Sequence, residues 1–268
     1  MAKFTPLRDA SSFRKAAVAT WRHSTDPKIY GTMAIEMSAA QALLSSLSAA
    51  GGTRVTVTHL VARAVAVALR RHADINAKVW LGRIVLRDTV DVFVQVAVEG
   101  GADLSGAKIE RADEKGLVAL AAEIAGTAGA IRANNDPALQ KSRSLVRRLP
   151  WLLVRPFMAI ADFLVNTLHL DLRSSGMPAD PFGSAMVTSV GMFGIDVGYA
   201  PFTPFARCPM VILVGEVQPR PWVVDGKVEV RPVMNLSGTF DHRIIDGYHA
   251  GLFAREIRAL LAAPEQLV

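Results

Sequence analysis

Gly238-Thr239-Phe240-Asp241-His242-Arg243-Ile244-Ile245-Asp246-Gly247, GTFDHRIIDG in one-letter code, is the stretch on which the reading of this chain turns. A strand pattern enters it: Val228, Val230, Met234, Leu236 and Phe240 fall at even spacings, the period of a half-buried strand. A helical pattern leaves it, with Ala250, Phe253, Ile257, Leu260 and Leu261 on one face. His242 therefore sits at a strand-to-helix junction, where a rigid frame presents a side chain to a cleft. Asp246 falls where the helix needs an N-cap, and Gly247 permits tight backbone passage. A neutral imidazole is the side chain best suited to take a proton from a thiol or hydroxyl near neutral pH. On these ten residues alone, the competing reading is a structural histidine beside a capping aspartate.

Composition narrows the classes. The 268 residues suit a single domain spanning 1–268, with half of them hydrophobic and a net charge of +6. That charge favours anionic partners, but no basic run is interleaved with aromatics, which argues against nucleic acid. Phosphates on a small molecule fit better. The single cysteine, Cys208, forms no internal disulfide and has no neighbours at metal-ligand spacing. The expectation is a reducing compartment, the cytoplasm, and no metal. The N-terminal MAKFTPLRDASSFRK lacks the apolar core of a signal peptide.

Periodicity lays out the remaining elements. A helix is expected over Ser12–His23, striped by Phe13, Ala17 and Trp21, then a strand over Ile29–Met37. Ser38 with Gln41 reads as a capping box opening a helix that stops at Gly51-Gly52. Thr58 is placed as the cap of a buried helix running to Arg71. A strand pair follows, in whose second member Val90, Val92, Val94, Val96 and Val98 share one face. A fourth helix is expected over Asp113–Arg132, and Asp225-Gly226 reads as a hairpin turn. Residues 133–181 stand apart, apolar and basic. Trp151 to Leu168 approaches the length of a membrane span but contains Arg155, Pro156 and Asp162. Helices are expected between Leu139 and Leu172, started or broken by Pro150 and Pro156. The favoured reading packs them on the body or a neighbouring subunit near a substrate entrance, with Arg143, Arg147, Arg148 and Arg155 outward. The competing reading is a membrane-surface contact.

HRIIDG between a strand and a C-terminal helix resembles the HxxxDG signature of the dihydrolipoamide acyltransferases, core subunits of 2-oxo acid dehydrogenase complexes and relatives of chloramphenicol acetyltransferase. FRKAAVATWRHS, HADINAKV (with Asn76 in register), GSAMVTSVGMFG and PFTPFARCPMVILVG resemble further segments of that family in the same order. The resemblance implies an α/β, chloramphenicol acetyltransferase-like two-layer fold, a mixed sheet flanked by helices, here with 133–181 as an inserted helical segment. It implies acyl transfer between coenzyme A, as substrate, and a dihydrolipoyl or other thiol or hydroxyl acceptor. In that scheme His242 is the general base and Thr188 supplies the hydroxyl that steadies the tetrahedral intermediate, where the family commonly has serine. Ser189, on the other strand face, ranks second as a substrate-binding residue. Arg14 pairs with Asp246 to lock the histidine loop. The family is trimeric with its site between subunits, and Leu267-Val268 resembles the plug through which trimers build a larger cage. Two departures redirect the reading. ADLSGAKI replaces the family's GLxVPV segment, which puts the acceptor in question. No lipoyl-type segment or proline-alanine linker is present, so a lipoyl group must arrive on another chain, unless the acceptor is a small molecule. The alternative from another class is a non-catalytic trimeric or cage-forming scaffold.

Overall fold

Strand and helix follow one another much as the periodicities predict, in a computed structural model that describes residues 26–50, 52–98, 103–132, 149–172, 174, 179–202 and 207–268. β1 (Lys28–Glu36) leads to α1 (Ser38–Ala49) and α2 (Val57–Arg71). The strands β2 (Ala77–Trp80), β3 (Arg83–Leu86), β4 (Val92–Val98) and β5 (Asp103–Ile109) come next, then α3 (Leu117–Arg132) and α4 (Trp151–Asp162). β6 (Ala185–Ser189), β7 (Met210–Val224), β8 (Lys227–Asp241) and α5 (Gly247–Ala262) complete the order. The helix expected over Ser12–His23, and Arg14 with it, lies outside the described residues.

Six strands form one sheet in the order β1-β8-β7-β6-β4-β5, and β2 and β3 form a separate hairpin. The β4–β6 and β6–β7 pairings are parallel and the others antiparallel, so the sheet is mixed as expected. Alternation sorts its side chains to two unlike faces. Val92 and Val94, Ala185 and Val187, Ile212 and Val214, and Met234, Leu236 and Phe240 belong to the main core. Residues of α2, α3 and α5, including Leu60, Leu120 and Ile257, complete that core. The opposite face carries a smaller apolar cluster of Met186, Cys208 and Val211, with Phe93, Phe182, Ala200 and Phe202 against it. Toward β8 and β1 this face turns polar. Asn235 donates to Asp196, Ser237 bonds the Thr32 hydroxyl, and Thr239 donates to the Ala200 carbonyl. Helices therefore fill one side, while a crossing segment over residues 191–202 covers part of the other. Where that segment passes β7, a Cβ on Gly215 would stand 2.1 Å from the Asp196 carbonyl oxygen, so only glycine fits.

Several boundaries differ from expectation for local reasons. The cap of α2 is Thr56, whose side chain accepts from the His59 backbone while His59 Nδ1 accepts from the Thr56 N–H at 3.3 Å; Thr58 lies one residue inside the helix. At α1 the expected Ser38–Gln41 box is not formed, because Glu36 takes both the Ser38 N–H (3.0 Å) and its hydroxyl. DLSGAKI, Asp103–Ile109, is strand: β5 pairs with β4 along its whole length. Pro156 does not end a helix but sits inside α4, which continues as a π-turn over Phe163–Thr167. The Asp225-Gly226 turn is as read, both residues having positive φ (48° and 78°).

Candidate active site

Asp241 ends β8 and organises the turn that presents His242. Its carboxylate, nearly buried, accepts from the Arg243 backbone N–H at 3.0 Å, from Arg243 Nε at 2.9 Å and from Nη2 at 2.6 Å. Its carbonyl oxygen receives the N–H groups of both Ile244 and Ile245. The turn is tied to the start of β1 by the His242 N–H, which donates to the Pro27 carbonyl at 2.6 Å. Ile245 is fully buried, and His242 is left exposed between these anchors. The hydrogen bonds that Arg243 donates to Asp241 hold its guanidinium above its ordinary pKa. Asp241 and Arg243 were absent from the sequence-based site, although both lie inside the quoted motif.

Beside this turn opens a cleft of about 250 Å³ lined by Asp26, Pro27, Lys28, Phe202, Arg207, Cys208, Asp241 and Arg243. Its three cations each have a carboxylate partner: Lys28 has Asp26 at 2.6 Å, Arg243 has Asp241, and Arg207 has Asp162. Cys208 is buried, which pushes its thiol up to about 12 and removes it as a nucleophile. Arg207 pairs with Asp162 at 2.5 Å, which sets the C-terminal end of α4 against the rim of the cleft.

Asp246 caps α5 as read: its Oδ1 accepts from the His249 N–H at 3.0 Å. The same oxygen meets His249 Nδ1 at 2.7 Å, and His249 Nε2 stands 3.4 Å from Asp74. The His249 backbone bond is the main cause holding the Asp246 carboxyl below its ordinary range. Within the described residues the partner of Asp246 is thus His249, a residue the sequence reading did not single out. Gly247 has open space among the described residues where a Cβ would stand, and its φ lies outside the left-handed region, so no described contact requires glycine there.

Thr188 and Ser189 end β6, both half-buried. Met186 belongs to the smaller cluster and Val187 to the main core, so alternation puts Thr188 on the open face and Ser189 on the helix face. Thr188 aligns with Leu213 on β7, and Leu213 with Ser237 on β8. His242 lies five residues beyond Ser237, so two strand spacings and five strand rises separate it from Thr188 by about 20 Å. The two side chains do not meet within one chain. Asn76 is framework: it is buried and donates to the Thr89 carbonyl at 2.9 Å, fastening the β2–β3 hairpin. Among the described residues, no group of three or more His, Cys, Asp or Glu side chains could hold a metal ion.

Comparison with known proteins identifies the frame. A model of the 2-oxoacid dehydrogenases acyltransferase (catalytic domain) family matches residues 7–138 and 178–268. The chain belongs to that family. The gap in the match falls within the segment read as an insert. The lipoamide acyltransferase component of the branched-chain alpha-keto acid dehydrogenase complex of Pseudomonas putida is 29% identical over 235 residues, 86% of this chain and 45% of that protein. This chain therefore spans less than half of that relative. A probable dihydrolipoamide acetyltransferase from Listeria monocytogenes superposes with a TM-score of 0.66 at 21% identity, covering 98% of this chain and 95% of that one. The cubic core of the pyruvate dehydrogenase multienzyme complex superposes equally well, at 0.66 and 20% identity over 100% and 99% of the two chains. The α/β fold read from the sequence is thus that of acyltransferase cores.

Proposed function

We propose that this chain transfers an acyl group between coenzyme A and a dihydrolipoyl or other thiol or hydroxyl acceptor, with His242 as general base. The observation that carries the reading is the HxxxDG histidine of the motif, held exposed on a clamped turn at the edge of a cleft lined by three ion-paired cations. Phosphates of coenzyme A would compete there with Asp26, Asp162 and Asp241 for Lys28, Arg207 and Arg243. In the step, His242 takes the proton of the acceptor thiol, and the thiolate attacks the thioester carbonyl. The Thr188 hydroxyl donates to the resulting oxyanion. Collapse breaks the bond to the coenzyme A sulfur, which takes the proton back from His242. Thr188 and His242 lie about 20 Å apart in one chain, so the catalytic pair is assembled from two chains of a homotrimer, a closed cyclic arrangement.

Trimers of this kind would build a larger cage only by further contacts. Leu267 is fully buried in its own core, which leaves Val268 as the exposed terminal side chain for such a contact. The lipoyl group would be borne by another chain, and the cytoplasm is the compartment that suits a lone, buried thiol. Incubating the protein with acetyl- and branched acyl-coenzyme A and dihydrolipoamide, and measuring free coenzyme A by chromatography, tests the reading. Release that needs the acceptor and disappears in His242→Ala is the expected result. An intact oligomer that releases none with any thiol or hydroxyl acceptor favours the non-catalytic scaffold instead.

A further inference from the structure

The expectation for the insert was a helix with its apolar side covered. α4 does half of this. Val154, Phe157, Met158 and Ala161 are partly shielded, and the π-turn that follows buries Val165 and Asn166. Trp80 Nε1 donates to the Thr167 carbonyl at 2.9 Å, and Asp162 holds Arg207, so the C-terminal end is moored to the body. The other side is bare. Leu152 is 86% exposed, and Leu153, Ile160 and Phe163 are each about half exposed or more. Leu152, Pro156, Ile160 and Phe163 follow one another at helical spacing, so they form one continuous apolar stripe rather than scattered surface leucines.

Charge says what kind of surface would cover the stripe. Arg155 is exposed on the same side of α4. The sequence holds no aspartate or glutamate from Pro137 to Ala161, and Lys141, Arg143, Arg147, Arg148 and Arg155 all fall in that interval. A second copy docked through the same stripe would bring the same acid-free, basic segment against it, so like charges would meet there. An anionic lipid surface offers both missing complements, hydrocarbon for the stripe and phosphate for the arginines. Length settles the orientation. α4 and its π-turn together run from Trp151 to Thr167, short of the roughly 20 residues a spanning helix needs. Among the described residues no helix is long and apolar enough to cross a membrane.

We propose that the exposed face of α4, with Leu152, Leu153, Ile160 and Phe163 inward and Arg155 at the headgroups, lies in the surface of an anionic membrane. The helix docks flat, and the Asp162–Arg207 pair at its end keeps the cleft beside His242 close to that surface. The docking does not rest on the acyltransfer reading, and its test reads lipid binding rather than activity.

The test is flotation of the full chain with phosphatidylcholine vesicles, with and without phosphatidylglycerol. The wild type is expected to float with the anionic vesicles only, and to be released as salt shortens the range of the attraction. Arg155→Glu should weaken partitioning at least about fivefold, the worth of one basic residue at an anionic surface. Leu152→Ser with Ile160→Ser should abolish flotation while leaving the thermal transition unchanged, because both side chains are already solvent-exposed. No flotation of the wild type at low salt overturns the proposal. So does equal flotation of the serine variant, or a drop in that variant's oligomeric state by sedimentation, which would assign the stripe to a second copy.

Discussion

Asp241 is the residue on which the presentation of His242 depends, since its side chain clamps Arg243 and its carbonyl closes the turn onto Ile244 and Ile245. Asp241→Ala should leave the Arg243 guanidinium without its partner and loosen the turn. The expected outcome is a loss of about 1–3 kcal/mol in stability, measured by denaturant unfolding, with reduced turnover. His242→Ala should remove most acyl transfer with no change in unfolding, because the side chain is exposed and, among the described residues, only its backbone N–H is used structurally. Unaltered turnover in that variant would unseat His242 as the base. Thr188→Ala should lower kcat/KM by about 2–4 kcal/mol in transition-state terms, and Thr188→Ser by far less, since serine keeps the donor. His242 and Asp246 were singled out by their place at a strand-to-helix junction, and Thr188 only by the resemblance of GSAMVTSVGMFG to a family segment. Asp241, Arg243 and His249 were not. Their roles depend on which way each side chain turns at the end of a strand, and period-two or helical spacing carries no information on that.

Among the elements, α2 shows both the reach and the limit of pattern reading. Its apolar run Leu60 to Leu69 announced a buried helix, and eight of its residues are buried. Its start was ambiguous because Thr56 and Thr58 are both competent caps, and the partner that decides between them is His59 rather than the glutamate or glutamine of the usual box. Thr56→Ala should cost about 1 kcal/mol and Thr58→Ala much less, read from paired unfolding curves. The box also ties α2 to pH. Burial lowers the His59 pKa below the ordinary 6.5, so the unfolded chain takes up this proton first as pH falls. Stability should therefore be flat above about pH 7 and decline below about 6.5, by the linkage of proton uptake to unfolding. His59→Gln, which keeps an acceptor without the titration, should flatten that slope. α4 was legible as a helix but not in its placement, since an apolar side chain looks the same in a sequence whether a body or a bilayer covers it.

For the whole molecule, the strand order explains why sequence alone gave the site as a set of residues and not as a place. The even spacing of β8 and the valine alternation of β4 were visible, yet the parallel insertion of β6 between β4 and β7 was not. The register it takes on β7 separates Thr188 from His242 within a chain, because Thr188 stands level with Ser237 two strands away while His242 lies five residues further on. If the functional pair is completed by a neighbour, two different dead proteins should rescue one another. His242→Ala chains keep Thr188, and Thr188→Ala chains keep His242. In a ring of three, each site draws its histidine from one chain and its hydroxyl from the next. Co-assembled at equal amounts, the two variants would give an intact pair at an interface when the histidine donor is the Thr188→Ala chain and its neighbour is the His242→Ala chain. Random assembly makes this roughly one interface in four, so activity should return to about a quarter of wild type. A site built within one chain predicts no recovery, because every chain then carries one lesion in its own site. Mixing the variants after separate assembly should also give none until the oligomers exchange subunits, and the rise of activity with exchange time would measure that exchange directly.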